Sequence, residues 1–70
     1  MKFEIVIHNP HKIITRYGNN IYDTYEKIYN ILVKYGIDEK TAIDCACWCE
    51  FATDGKSYNT DDFDIYVSVE

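Results

Sequence analysis

Three cysteines at every second position, Cys45, Cys47 and Cys49 in CACWC, are the first residues whose type and spacing could do chemistry. Thiolates hold soft metals and attack electrophiles, so this run admits a thiol- or metal-binding reading. Zinc asks for four ligands, or three and a water. Cys45 and Cys49 could supply two from one helical side, with His8 or His11 adding others, but the spacing matches no zinc knuckle or ribbon. A Cys45–Cys49 disulfide is disfavoured on a helix. Side chains four residues apart stand about 5–6 Å apart at Cβ, against about 3.5–4.5 Å in a disulfide. The simpler reading is that the sulfurs fill space as small hydrophobes, with Cys47 the most reactive of the three.

The other polar constellations are weaker. His8 and His11 bracket Asn9-Pro10, but a catalytic histidine needs a nucleophile and an orienting acid beside it, so they read as exposed turn residues. Asp61, Asp62 and Asp64, with Asp54 nearby, make an acidic patch flanked by Tyr58 and Tyr66. Calcium loops set acids at fixed positions around a glycine bend, a pattern missing here. The patch is then either a solvated loop guarding a strand edge or a dock for a basic partner. Tyr22 and Tyr29, at helical spacing around Tyr25, have the amphipathic character that suits either a core edge or an interface. No catalytic, cofactor or metal site is assigned, and the chain reads as a non-enzyme.

Composition narrows the partners. Twelve acids against seven bases give a net charge of -5, which disfavours direct contact with nucleic-acid phosphates and suits a basic protein surface. Apolar residues make up 47% of the chain, enough for a folded domain, and aromatic residues a high 16%, mostly seven tyrosines. Residues 1–70 form one domain with a small core. No apolar run suits a signal peptide or a membrane span. Three cysteines cannot all pair within the chain, which fits a reducing cytoplasm.

The segment Ile37–Thr53 must position the cysteines, and both of its ends carry helix signals. Asp38 can cap the first turn, Glu39 adds charge favoured by the dipole, and Ile37 can close over Ala42. Gly55 stands where a left-handed residue would end the helix. At about 100° per residue, Ala42, Cys45, Ala46, Cys49 and Ala52 share a small-residue face with Trp48 at its edge. A second stripe, Ile43, Cys47 and Phe51, runs along another side. Burial on both sides is the favoured expectation, and a partner surface or a homodimer contact on the second stripe the alternative.

The remaining elements follow from periodicity. Lys2 to His8 alternates as a strand with Phe3, Ile5 and Ile7 inward. After the Asn9-Pro10 turn, Lys12 to Tyr17 is a second strand or an extended loop. Asn20 can cap a helix over Ile21 to Tyr35, with Ile21, Tyr25, Ile28, Leu32 and Tyr35 on one face, an Asp23–Lys27 pair on the other, and Gly36 as its stop. Lys56 to Asp62 reads as a polar turn. Phe63, Ile65, Val67 and Val69 alternate with Asp64, Tyr66, Ser68 and Glu70 in a last strand that should pair with the first. The expected fold is α+β, order β-β-α-α-β: a small antiparallel sheet of two or three strands with a two-helix hairpin packed on one face.

The layout Asn9-Pro10, Ala42-Ile43-Asp44 into Trp48-Cys49-Glu50, then Gly55, Tyr58 and Phe63-Asp64-Ile65 resembles short uncharacterised proteins of Gram-positive bacteria, their phages and mobile elements. In size, acidity and tyrosine content the chain is also similar to phage-encoded inhibitors of host defence, anti-CRISPR proteins among them. That resemblance implies an inhibitor that binds a larger host protein, and it transfers no site residues. The leading expectation is a cytoplasmic protein-interaction module for a basic partner. Its contact residues would come from Tyr22, Tyr29, Ile43, Cys47, Phe51, Tyr58, Asp61, Asp62, Asp64 and Tyr66. The alternative is a thiol- or metal-binding protein built on the CACWC run.

Overall fold

Alternation sets the two central strands. In the computed structural model, which describes residues 1–69, β1 (Lys2–Ile7) and β4 (Phe63–Ser68) lie side by side and antiparallel. Their register sets Phe3 opposite Val67, Ile5 opposite Ile65 and Ile7 opposite Phe63. All six side chains are buried on one face of the sheet. Burying each large one contributes on the order of 1.5–3 kcal/mol, so this strip is the foundation of a small domain.

Two edge strands complete a four-stranded sheet in the order β2-β1-β4-β3. β2 (Lys12–Tyr17) is antiparallel to β1, so the residues after the cis Asn9–Pro10 turn form a strand and not a loop. Its β-branched Ile13, Ile14 and Thr15 suit the pleated backbone, and Ile14, opposite Ile5, reaches the core edge. β3 (Ser57–Asn59) pairs with β4, which corrects the expectation of a polar turn over Lys56–Asp62 and of two or three strands. Only the turn Thr60–Asp62 remains of that segment. The Thr60 hydroxyl accepts from the Asp62 and Phe63 amides at 3.1 and 3.0 Å.

The helices are α1 (Ile21–Lys34) and α2 (Glu39–Glu50). Asn20 caps α1, its side-chain oxygen accepting from the Asp23 amide at 2.9 Å. Asp38 caps α2 through the Thr41 amide at 3.1 Å. Asp23 receives Lys27 at 3.0 Å, the pair the spacing predicts, and also the Asn19 amide at 3.0 Å. α1 ends in a Schellman motif: Gly36, at φ 83°, donates to the Val33 carbonyl and Ile37 donates to Leu32. α2 then returns along α1.

Two expectations about the helices and one about the last strand need correction. Gly55 does not end α2, which stops at Glu50. It sits at φ 82° in the Thr53–Lys56 turn, where the third residue takes the left-handed conformation of a type II turn. The buried side of α1 is Thr24, Ile28, Ile31 and Leu32, which keeps Ile28 and Leu32 of the expected face, leaves Tyr25 and Tyr35 half-buried against the core and exposes Ile21. The joint between Thr24 and Gly18 accompanies this placement, since a β-carbon on Gly18 would stand 1.9 Å from the Thr24 hydroxyl. The last strand ends at Ser68, its partner Lys2 being the first residue of β1. Val69 leaves the sheet and donates its amide to Asp54 at 2.9 Å. Glu70 lies outside the described residues.

Candidate functional site

α2 has two characters because only one layer of helices covers the sheet. Ala42, Cys45, Ala46 and Cys49 are buried. Trp48, on the side toward the sheet, packs on Tyr58 at 5.5 Å between ring centroids, and Tyr58 stacks on Phe63 at 6.0 Å. The stripe Ile43, Cys47 and Phe51 opens outward, which corrects the favoured expectation of burial. A chain of this size has no third layer to place over it. Phe51 is 73% exposed and Ile43 38%.

α1 extends this outward surface. Tyr22 is 87% exposed, and Tyr25 and Tyr29 stack at 5.9 Å with rings nearly parallel. The Tyr25 hydroxyl is pushed above its ordinary pKa, first by burial and then by the nearby Cys47, Tyr29, Glu50 and Glu39 groups. α1 and α2 pack along one another, and at about 100° per residue the Tyr25–Tyr29 stack and the Ile43–Cys47 side border the same seam. Five of the ten expected contact residues, Tyr22, Tyr29, Ile43, Cys47 and Phe51, therefore belong to one continuous face.

The charge around this face is acidic. At about 100° per residue, Glu26 on α1 and Asp44 on α2 share the outward side, Glu39 and Glu50 stand on the flank of α2 toward α1, Lys40 lies within the stripe and Lys56 beside Phe51. None of these four acids is in an ion pair among the described residues. A shallow depression of about 450 Å³ adjoins Phe51, lined by Cys47, Trp48, Phe51, Ala52, Thr53 and Lys56. The acids and Val33, another exposed apolar residue of α1, were not among the expected contact residues. For Glu39, Asp44 and Glu50 their helical angles relative to the Ile43–Cys47–Phe51 stripe carry that signal in the sequence, whereas Glu26 and Val33 join it only through the packing of α1 on α2.

The other five expected contact residues do not form a second such face. Tyr58 is half-buried in the Trp48–Tyr58–Phe63 stack. Asp64 and Tyr66 lie on the open face of the sheet, and Asp64 is occupied by His8 at 2.7 Å. Asp61 and Asp62 sit at the turn end of the molecule, beside a cleft of about 380 Å³ that Asp38, His8 and Tyr35 also line. His8 is thus more than an exposed turn residue. Its Nδ1 lies 2.9 Å from the Asp61 carbonyl and its Nε2 against the Asp64 carboxylate, so it joins β1 to β4. The carbonyl and an ionised carboxylate both accept, so the two contacts are hydrogen bonds together when the imidazole is protonated and donates from both nitrogens.

The thiols diverge. All three are free, Cys45 and Cys49 inside and Cys47 outside. The Cys45 thiol is pushed upward, first by its contact with Cys49 and then by burial, so it is a poor nucleophile. Among the described residues, no group of three His, Cys, Asp or Glu is placed to hold a metal. Among the described residues, no helix is long and apolar enough to cross a membrane. No family model matches the chain, and neither a curated protein nor a solved structure does.

Proposed function

We propose that this chain is a small acidic interaction module of the cytoplasm, with no reaction of its own, that binds a basic surface of a larger protein through the outward side of its helices. The observation that carries this reading is the coincidence of large exposed apolar side chains, Tyr22, Ile43 and Phe51, with four acids that lack ion pairs among the described residues. Exposed aromatic residues anchor interfaces, and charge around them steers and selects the partner. The resemblance noted above extends the proposal to an inhibitor carried by a phage or mobile element, acting by occupying a host protein's basic surface.

The test is capture of partners from bacterial lysate on the tagged chain across a range of salt concentrations, beside Phe51→Ala and Glu26→Lys/Asp44→Lys variants. A partner retained by the native chain, released by salt and lost with both variants supports the proposal. Retention that neither variant disturbs, or recovery of the bait alone at every salt concentration, overturns it.

A further inference from the structure

We infer that the partner element seated on this face is a basic amphipathic α-helix, a deduction that rests on the interaction reading above and specifies its ligand. The face is a pair of helices, not a flat surface. The two helices pack along one another, so Ile43 and Cys47 on α2 and the Tyr25–Tyr29 stack on α1 border one seam, with Phe51 and Tyr22 more exposed. Glu26 lies to the far side of this band on α1 and Asp44 to the far side on α2. The band is therefore apolar over its centre and acidic at both margins and, through Glu39 and Glu50, at both ends of α2, with Lys40 the base within it among the described residues. α2 has 12 residues, which at 1.5 Å per residue gives a track of about 18 Å, or roughly three turns of a ligand helix. A helix whose apolar stripe is flanked on both sides by Lys and Arg meets the middle and both margins at once. The exposed ring of Tyr22 adds a face on which a guanidinium can lie.

Other occupants fit less well. A second copy would set Glu26, Asp44 and Glu50 against the same acids, and opposed like charges are a device against pairing. A nucleic acid would bring phosphates to carboxylates. Strand addition would need an edge of the sheet, and β3 offers only three residues while β2 is guarded. On β2, the Thr15 carbonyl accepts from its neighbour Arg16 at 2.9 Å and the Tyr17 carbonyl from Lys27 at 2.6 Å.

The probe is a synthetic peptide of about 14 residues with Leu at i, i+3, i+4, i+7 and i+11 and Lys or Arg flanking them. It is titrated into the full chain by calorimetry and by Trp48 fluorescence. Controls are a scrambled peptide of equal composition and one with Glu in place of the bases. The expected result is saturable one-to-one binding of the first peptide, weakened about tenfold or more by Phe51→Ala, and separately by Glu26→Lys with Asp44→Lys. Tyr66→Ala on the open sheet face should leave it unchanged. Equal binding of the scrambled peptide, indifference to Phe51→Ala, or a stable dimer by light scattering that Phe51→Ala dissolves would each overturn the inference. If the peptide fails while lysate capture still depends on Phe51, the helical ligand is wrong and the interaction module stands. If both fail, both fall.

Discussion

The two broad faces of this molecule expose comparable side chains and organise them differently. On the open sheet face, Ile13 is 60% exposed and Tyr17 and Tyr66 46% each, against 87% for Tyr22 and 73% for Phe51 on the helix side. There the apolar pair Ile13–Val6 is bounded by charge: Asp64 stands opposite Val6 and is met by His8, and Glu4 stands opposite Tyr66. On the helix face, Ile43, Cys47 and Phe51 follow one another at steps of four, and the acids nearby lack ion pairs among the described residues. Exposure of single apolar residues is ordinary, whereas contiguity combined with charge mostly of one sign is not. The lesson is that arrangement, together with exposed area, separates a binding face from a solvated one.

The largest expected effect removes both faces together. Leu32, fully buried under α1, supports each of them. Leu32→Ala should cost about 2–5 kcal/mol, a large part of the stability of a domain this small, and denaturant titration should show it. Phe51→Ala and Tyr22→Ala should stay within about 0.5 kcal/mol of the native chain in the same titration. A large loss at Phe51 would mean that the helix face serves the fold and not a partner. Next in size is the joint between the layers. Gly18→Ala would drive a methyl into the Thr24 hydroxyl and should cost on the order of 1–3 kcal/mol. Adding Thr24→Ala should recover much of that loss, and no recovery would refute steric contact as its cause. Smaller again is the α2 cap. Asp38→Ala should cost about 1 kcal/mol. Hydrogen bonding from the Thr41 amide holds the Asp38 carboxyl below its ordinary pKa. Its contribution is therefore present above the unfolded value of 3.8 and lost as pH falls through the folded one.

How much of this was legible in the sequence depends on how local the cause is. The caps at Asn20 and Asp38, the stop at Gly36 and the Asp23–Lys27 pair each need only a few neighbouring residues, and each stands where periodicity put it. The β1–β4 pairing was legible because both segments alternate over six residues. β3 was not, since Ser57–Asn59 is polar and becomes a strand by lending its backbone to β4. The outward set of the Ile43 stripe depends on how many layers the fold has, which no local pattern encodes. Half of the expected contact residues share the helix face. The rest scatter because the register sets Tyr58, opposite Ile65, on the core side and Asp64 and Tyr66 on the open one, with Asp61 and Asp62 in the turn.

The smallest expected effect belongs to the open sheet face and tests whether it is closed on itself. His8 and Asp64 are 56 residues apart and meet only through the β1–β4 register. The Asp64 carboxylate, and after it the Asp61 carbonyl, raise the His8 pKa above its ordinary 6.5. The folded state thus binds the proton more tightly than the unfolded chain does, and the pair's stabilisation is complete below pH 6.5 and fades as pH rises through the folded pKa. Thermal unfolding of the native chain and His8→Ala, compared from about pH 5.5 to about pH 8.5, should show a gap that narrows as pH rises. The side chain is exposed, so the gap should be small and should shrink further in salt. A gap that widens with pH would mean that the imidazole is neutral. One of its two acceptors would then be unmet, and the sheet face would carry a free carboxylate of the kind that marks the helices.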